Sequence, residues 1–316
     1  MNHRIRIEAI REAAGVIDPV FLHSPQFVAE SLSRLVGCRV VVKVETVNPI
    51  RCFKGRGADY MASKLPAGAR VITASAGNLG QAMAYACRRR GQKLTVYAAT
   101  TANPLKIERM RMFGAEVILH GKDFDEAKIE AKRVAQRDGA RMVEDSLDVE
   151  TGEGAGTIGL ELAEFPERID AVAIAFGNGA LACGIGRYLK HVHPTTRVIA
   201  VQAQGAPAMI ESWRARRIVR HETSATIADG IGIRIPIPEC VDDMDGVIDE
   251  GVLVDEATIV QAIRVLHEHL GLAIEPSGAV SFAALLADPK KYAGSTVAVV
   301  LSGGNVTPEQ AKVWFG

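Results

Sequence analysis

The chain has 316 residues, which is enough for about two domains of ordinary size and a sizeable buried core. Its 37 basic residues balance its 37 acidic residues, so no net charge attracts nucleic acid or an acidic membrane. These values exclude strongly charged partner classes and favour a function on a small molecule.

The sequence contains no clear targeting or membrane segment. The amino terminus lacks the apolar core of a secretory signal and is typical of a helix start. The apolar stretch 171–186 is shorter than the roughly 18 to 20 residues of a membrane span, and it contains Asn178. We therefore expect a cytoplasmic protein with no transmembrane segment, no nucleic-acid partner and no appended regulatory domain.

The cysteines and histidines indicate neither a disulfide framework nor a metal site. The His-x-His pairs 191/193 and 267/269 lie in helix-like sequence, where rings two positions apart do not share a face. An odd number of cysteines without a CxxC pair is typical of reduced thiols, most of them in the core. The cysteines are Cys38, Cys52, Cys87, Cys183 and Cys240.

Short β-branched runs alternate with amphipathic stretches over nearly the whole chain. This alternation predicts an α/β fold with mainly parallel sheet, covered by helices on both faces. The predicted strands are 39–44, 70–73, 94–98, 116–119, 171–175, 197–201 and 296–301. The predicted helices are 80–90, 123–137, 157–162, 181–191 and 256–270.

The first motif that suggests a chemical role is Asn-Pro-Ile-Arg-Cys-Phe-Lys-Gly-Arg-Gly-Ala at 48–58. It joins a strand end, a proline turn and the start of a helix. Lys54 lies at the head of that helix, near the positive helix dipole and Arg56, and both favour the neutral, nucleophilic amine. From these residues alone, an ordinary solvated lysine remains the alternative.

Two later motifs connect a strand to a helix through small residues. They are Thr-Ala-Ser-Ala-Gly-Asn-Leu-Gly-Gln-Ala at 73–82 and Phe-Gly-Asn-Gly-Ala-Leu at 176–181. Free N–H groups at such helix starts bind carboxylates or phosphates. The second motif is neither a P-loop nor a dinucleotide fingerprint, so any phosphate there belongs to another ligand. An ordinary tight turn remains the alternative for the first motif.

The last two motifs lie near the carboxyl end of the chain. Ile-Glu-Pro-Ser-Gly-Ala at 274–279 opens a helix, and Leu-Ser-Gly-Gly-Asn at 301–305 closes the final strand. In α/β sheets, ligands gather at the carboxyl ends of strands. The loops that carry these five motifs are therefore predicted to form one ligand site.

In this order, together with Ile-Ala-Asp-Gly at 227–230, the motifs resemble the fold-type II pyridoxal 5′-phosphate (PLP) enzymes, in the serine/threonine dehydratase and serine racemase branch. The resemblance covers residues 19–306. It implies a tryptophan synthase β-like α/β fold with two open, mainly parallel sheet domains. The large PLP-binding domain would span 1–66 and 148–316, and the small domain with the substrate-carboxylate loop would span 67–147. It also implies PLP as cofactor, an amino-acid substrate and a homodimer.

The resemblance implies roles for single residues around the cofactor ring. Lys54 would bind PLP as a Schiff base and act as the catalytic base, with Phe53 beside the ring. Ser302 would contact the pyridine nitrogen, Glu275 would lie near the same edge, and Gly230 would lie by the ring. Ser302 is neutral and cannot hold the pyridine nitrogen protonated, so the ring is a weak electron sink, which favours β-elimination.

The resemblance also implies which residues bind the anionic groups. Asn78 would hydrogen-bond the 3′ oxygen of the cofactor and help to bind the substrate. The substrate carboxylate would meet the backbone N–H groups of Ser75, Ala76 and Gly77. The 5′-phosphate would meet Gly177, Asn178, Gly179, Ala180 and Leu181.

The sequence departs from the family pattern at several positions. Asn178 and Ala180 stand where the family has glycines, and alanine tolerates positive φ poorly, so the phosphate loop is expected to differ in shape. Cys52 replaces a common serine, and Leu79 replaces a common histidine. The stretch 201–204 lacks the carboxylates that some racemases use for a divalent metal, so no metal is predicted.

The predicted activity is β-elimination by an ammonia-lyase, which converts a β-hydroxy amino acid to a 2-oxo acid and ammonia. The alternatives are a β-replacement or diamino-acid enzyme, an amino-acid racemase and a catalytically dead PLP-binding protein. Ala76 lacks the hydroxyl that the family's racemases have at this position, which disfavours racemisation. The acidic segment 144–153 is either a solvated loop or a pocket for a cationic or hydroxylated substrate group, with Asp145 and Glu153 as its candidates.

Overall fold

The computed structural model describes residues 3–315, and their strands form a six-stranded and a four-stranded sheet. The strand order is β1-β2-β10-β7-β8-β9 in the first sheet and β5-β4-β3-β6 in the second. Every pairing is parallel except that of β1 with β2, which confirms the predicted mainly parallel α/β fold. The strands are β1 (Gln26–Val28), β2 (Arg39–Val44), β3 (Arg70–Ala74), β4 (Lys93–Ala98), β5 (Glu116–Leu119), β6 (Arg141–Val143), β7 (Ala171–Ala175), β8 (Arg197–Ala203), β9 (Glu250–Val254) and β10 (Thr296–Leu301).

The helices connect successive strands and cover the sheets. Within residues 3–315, no helix combines the length and apolar character needed to cross a membrane. The helices are α1 (Ile7–Val16), α2 (Glu30–Val36), α3 (Lys54–Ser63), α4 (Asn78–Arg89), α5 (Pro104–Met112), α6 (Phe124–Asp138), α7 (Val149–Ala155), α8 (Thr157–Ala163), α9 (Ala180–Val192), α10 (Ala208–Ala215), α11 (Pro238–Asp242), α12 (Glu256–Leu270), α13 (Pro276–Ala287), α14 (Pro289–Tyr292) and α15 (Pro308–Phe315).

The centre of the six-stranded sheet is buried on both faces. Strand β7 has the sequence Ala-Val-Ala-Ile-Ala, and all five residues are buried. A parallel strand becomes this apolar only where helices cover both of its faces, and α9 and α13 both pack against β7. The sheet is therefore a rigid platform for the loops at its carboxyl edge.

The four-stranded sheet shares its core with the first part of the chain. Buried side chains of α1 and α3, including Ala13 and Tyr60, belong to the same apolar cluster as Val71, Leu94 and Val96 of the sheet. The four strands themselves all lie within the segment 67–147. The domain boundaries at 66/67 and 147/148 stay a prediction, because the apolar cluster extends across the first of them.

Candidate active site

A cavity of about 1090 Å³ lies between the two sheets, at the carboxyl ends of their strands. The loops after β3, β7 and β10 line it, as do the starts of α3 and α13. Every residue predicted to contact the cofactor or the substrate carboxylate lines this cavity, so the predicted loops meet, whereas Glu153 of the acidic segment does not line it. The individual role of each residue stays a prediction.

Backbone hydrogen bonds place Lys54 next to Ser302. The N–H of Phe53 donates to the carbonyl of Ser302 at 3.0 Å, and the N–H of Gly304 donates to the carbonyl of Arg51 at 2.9 Å. The Lys54 ammonium lies 4.7 Å from the centre of the Phe53 ring. The loop before Lys54 and the loop after β10 are thus joined by backbone hydrogen bonds in the wall of the cavity.

Arg56 does not act on Lys54 as the sequence predicted. Its guanidinium is fully buried and donates to both oxygens of Glu45, at 2.8 and 2.9 Å, and to Glu161 at 2.6 Å. Two carboxylates balance its charge, and Lys43 also pairs with Glu161. The expectation that Arg56 favours the neutral form of Lys54 is therefore wrong, because this charge is neutralised inside the protein.

The acidic segment 144–153 divides into residues with different environments. Asp145 lines the cavity, and its two carboxylate oxygens accept from the Lys54 ammonium at 2.7 and 2.8 Å. Glu144 also lines the cavity but pairs with two lysines of α6. Glu153 is buried, and its carboxylate accepts from the backbone N–H of Arg6 at 3.2 Å. Glu153 therefore fits neither alternative, since it is buried and does not line the cavity.

Asn78 belongs to a partly buried polar network that motif spacing alone does not predict. Its amide nitrogen donates to Glu275 at 2.6 Å, and its amide oxygen accepts from Asn305 at 2.8 Å. The Asn305 oxygen in turn accepts from Arg109 of α5 at 2.8 Å. Burial raises the pKa of the Glu275 carboxyl. The network fixes the orientation of the Asn78 amide and leaves one of its N–H groups for a ligand.

The loop after β3 offers fewer backbone donors than predicted. The N–H of Ser75 donates to the carbonyl of Tyr97 at 3.0 Å and so continues the sheet. The Ser75 hydroxyl accepts from the N–H groups of Gly77 and Gly80 at 3.2 and 3.0 Å, which caps α4. The expectation that the Ser75 N–H binds a carboxylate is therefore wrong. The neighbouring N–H of Ala76 forms no hydrogen bond within the described part of the chain.

The loop before α9 keeps the geometry of an anion site despite its altered residues. Only Gly179 has positive φ, at 106°, while Asn178 and Ala180 have ordinary backbone angles. Glycine is therefore not required at the two altered positions, and the expected difference in loop shape from the family stays a prediction. The Ala180 N–H donates to the hydroxyl of Ser146 at 3.1 Å. Within residues 3–315, the buried amide oxygen of Asn178 has no hydrogen-bond partner.

These residues fit a phosphate-bearing cofactor. The Asn178 amide can donate an N–H to a phosphate oxygen, whereas its buried oxygen needs a donor from elsewhere. A side-chain carbon added at Gly177 would come within 3.3 Å of the Gly230 carbonyl, so glycine at 177 avoids a crowded contact in the wall of the cavity. Among the described residues, no group of three or more histidine, cysteine or acidic side chains could hold a metal.

A cavity-lining lysine, a buried serine beside it and a glycine-rich loop at a helix start are the groups of an α/β enzyme that binds a phosphate-bearing cofactor. The chain belongs to the family described as pyridoxal-phosphate dependent enzyme, whose model matches residues 19–303. The cofactor is therefore pyridoxal phosphate.

The chain is similar to two groups of proteins within that family. An L-threonine ammonia-lyase of Thermotoga maritima is 35% identical over 305 residues, which are 96% of this chain and 76% of that protein. The structure of maize serine racemase matches with a TM-score of 0.91 at 29% identity, covering 98% of this chain and 95% of that one. Threonine deaminase isoform 2 of Solanum lycopersicum matches with a TM-score of 0.90 at 30% identity, covering 98% of this chain and 88% of that one.

Proposed function

We propose that the protein is a PLP-dependent ammonia-lyase that eliminates the β-hydroxyl of serine or threonine and releases a 2-oxo acid and ammonia. The observation that supports this best is that backbone hydrogen bonds place Lys54 and the neutral Ser302 side by side in the cavity wall. The similarity to an L-threonine ammonia-lyase over 96% of the chain supports the same reaction.

The residues that line the cavity would each hold a different part of PLP. Lys54 would attach the cofactor, and Phe53 would lie beside its ring. The Gly177–Leu181 loop would take the phosphate, and the hydroxyl of Ser302 would meet the pyridine nitrogen. Gly230 and the network of Asn78 with Glu275 would border the ring. When bound, PLP supplies an electron sink that makes the Cα proton of an amino acid acidic.

The remaining chemistry belongs to the protein itself. The N–H of Ala76 and the amide of Asn78 orient the substrate carboxylate at the start of α4, where the helix dipole favours an anion. Lys54 Nζ takes the Cα proton as general base, from one face of the substrate. Because Ser302 is neutral, it would not keep the ring nitrogen of bound PLP protonated. This favours prompt departure of the β-substituent with the electron pair of its bond.

A direct assay tests this proposal. The holoenzyme is incubated with L-serine or L-threonine, and 2-oxo acid, ammonia and the chirality of the residual substrate are measured together. We expect stoichiometric 2-oxo acid and ammonia, with residual substrate that stays in the L form. Rapid accumulation of the D-amino acid would instead support a racemase, as the similarity to maize serine racemase allows.

We also propose that the enzyme is a cytoplasmic homodimer with two domains, at 1–66 plus 148–316 and at 67–147. All five cysteines are free and buried, which supports a reducing compartment. The four strands of the smaller sheet fall inside 67–147, which supports the division. The resemblance to the dehydratase branch supports the dimer, and light scattering of the purified protein would test it.

A further inference from the structure

A half-buried arginine lies behind the network that orients Asn78. Arg109 of α5 donates through Nη1 to the side-chain oxygen of Asn305 at 2.8 Å, and it does not line the cavity. Within the described part of the chain, its guanidinium forms no ion pair with a carboxylate. Burial and the neighbouring Arg51 lower the pKa of Arg109, whereas the charge of Glu275 acts in the opposite direction. Arg109 is therefore a cation without a direct counter-charge, and Glu275 is the carboxylate that attracts it.

Asn305 connects this cation to the side chains that line the cavity. Its side-chain nitrogen donates to the Asn78 oxygen at 2.8 Å and to the Ile50 carbonyl at 2.9 Å. Its backbone N–H donates to Glu275 at 3.1 Å, and Glu275 also accepts from the Asn78 nitrogen at 2.6 Å. Asn305 and Glu275 are buried, and Asn78 lines the cavity. The contacts thus run from a cation outside the cavity to an amide in its wall.

The donors and acceptors along these contacts fix the direction of both amides. A guanidinium has donors only, so the side-chain oxygen of Asn305 must face Arg109. The nitrogen of Asn305 then faces Asn78, and the oxygen of Asn78 must face that nitrogen. The nitrogen of Asn78 is left to donate to Glu275 and, with its second N–H, to a ligand. In the opposite orientation the Asn78 oxygen would face a Glu275 oxygen that also accepts, and both would lack a donor.

The charge of Arg109 also affects what the free N–H of Asn78 can bind. Glu275 lies in the wall of the cavity, and its negative charge would oppose a second negative charge beside Asn78. The guanidinium offsets this repulsion. Hydrogen bonds in a row polarise one another, so a cation at one end strengthens the donor at the other end. Both effects favour an anionic oxygen next to the Asn78 N–H.

We propose that Arg109 is a positioning residue for the cofactor, which acts through Asn305 and Asn78 to stabilise the ionised form of the 3′ oxygen on the PLP ring. The inference rests on the proposed role of Asn78 at that oxygen. Arg109 lies outside the cavity, so it acts on the ring only through the two amides. Ionisation of the 3′ oxygen moves the absorption of bound PLP to longer wavelength, so the spectrum reports on this effect directly.

The test compares two cofactors in the absence of substrate. PLP has the ring oxygen, and 3-deoxypyridoxal 5′-phosphate lacks it but keeps the aldehyde and the phosphate. The full-length protein is freed of cofactor, and binding of each compound is measured by calorimetry and by absorption. We expect Arg109→Met to weaken PLP binding by roughly threefold to tenfold, the range of one hydrogen bond, and to reduce the long-wavelength band. Binding of the 3-deoxy analogue should not change.

Three further variants show how Arg109 acts. Arg109→Lys keeps a cation and a donor, so we expect it to recover part of the preference for PLP over the analogue. The matched control is Arg111→Met, which removes an exposed arginine from the same helix and should affect neither compound. In Asn78→Ala, adding Arg109→Met should cause no further loss of PLP affinity, because the amide that connects them is gone. Thermal melting shows that each variant is folded.

The outcomes separate this inference from the proposed function. An equal loss for both compounds in Arg109→Met, or no loss for either, would overturn the inference. Additive losses in the double variant would show that Arg109 does not act through Asn78 and would also overturn it. If Asn78→Ala keeps the parent preference for PLP, the proposed role of Asn78 fails and the inference fails with it. The absence of 2-oxo acid from serine and threonine would overturn the proposed reaction but not these binding results.

Discussion

Lys54 is the residue on which we propose that attachment of the cofactor and proton transfer both depend. We expect Lys54→Ala to abolish the visible absorption of the holoenzyme and its turnover together, because one amine serves as both anchor and base. The control is Lys106→Ala, which removes another cavity-lining lysine and should keep the absorption. Borohydride reduction followed by peptide mapping checks the assignment, and a reduced adduct on a different lysine of Lys54→Ala would show that it is wrong.

Ser302 is predicted to act on the cofactor ring rather than to bind it tightly. Its side chain is almost fully buried and faces the cavity. We expect Ser302→Ala to retain PLP but to slow elimination by roughly 10²-fold, the usual loss of a positioned catalytic group. Steady-state kinetics with L-serine measure this effect, and an unchanged kcat would remove Ser302 from the mechanism.

Ala76 is expected to determine that the enzyme eliminates rather than racemises. Its side chain has no proton to exchange, and the adjacent Ser75 hydroxyl is already bound by two N–H groups. We expect Ala76→Ser to add measurable racemisation at some cost to elimination. Chiral chromatography of residual substrate checks this, and a variant that remains strictly eliminating would show that a hydroxyl at 76 is not sufficient.

Helices α3 and α7 cross so closely that their contact depends on glycine. A side chain at Gly154 would come within 2.6 Å of the Gly57 Cα and of the Arg56 carbonyl. We expect Gly154→Ala to lower the free energy of unfolding by about 1–3 kcal/mol through overpacking. Gly15→Ala is the matched control, because no atom lies within 4 Å of its added carbon, and it should be neutral or stabilising. Urea denaturation compares the two variants, and equal stabilities would contradict the close contact.

A buried ion cluster of Lys43, Glu45, Arg56 and Glu161 joins β2, α3 and α8. Its charges predict how the stability of the protein changes in acid. Burial alone would raise the pKa of Glu161, but Arg56 and Lys43 outweigh burial and hold the pKa below its usual range. The unfolded chain therefore takes up this proton at higher pH than the folded chain. Stability from Glu161 is present above about pH 4.5 and is lost as pH falls toward the lower folded pKa.

The variant Glu161→Gln tests that cluster. We expect it to lower the unfolding free energy near neutral pH by about 3 kcal/mol, because two buried cations lose a counter-charge. Below about pH 4.5 its stability should depend less steeply on pH than that of the parent protein. Denaturation at several pH values measures both effects, and parallel pH curves would exclude Glu161 as the titrating group.

The sequence predicted the central strands well and missed three of the four edge strands. Strands β2, β7 and β10 have the predicted bounds, because a strand buried on both faces must be an apolar run. The edge strand β5 was also predicted with its bounds, from its β-branched residues. Strands β1, β6 and β9 were missed: β1 and β6 have only three residues each, and β9 begins with Glu250 and Gly251, which do not favour a strand.

At the scale of the whole molecule, the sequence predicted which loops meet but not how their side chains pair. The position of each loop follows from the alternation of strands and helices, which is a local pattern. The contact of Lys54 with Asp145 joins residues 91 positions apart, and that of Asn78 with Glu275 joins residues 197 apart. Such pairings depend on the packing of two sheets, so they could not be obtained from motif spacing.

Three polar contacts also join the two halves of the molecule around the cavity. Lys106 pairs with Asp229, Arg234 pairs with Asp125, and Arg109 donates to Asn305. Each contact has one partner near the four-stranded sheet and one near the six-stranded sheet. The relative position of the sheets is therefore set at the mouth of the cavity as well as by the apolar core.

The position of β10 has a consequence for synthesis on the ribosome. This strand lies between β2 and β7, although it follows β2 by some 250 residues of chain. The smaller sheet and the helices that share its core are complete once residue 143 has emerged, so that part can fold early. Strand β2 waits with one edge unpaired until residues 296–301 appear. During that interval the nascent polypeptide is exposed to misassociation, and we expect it to depend on a chaperone that shields this edge.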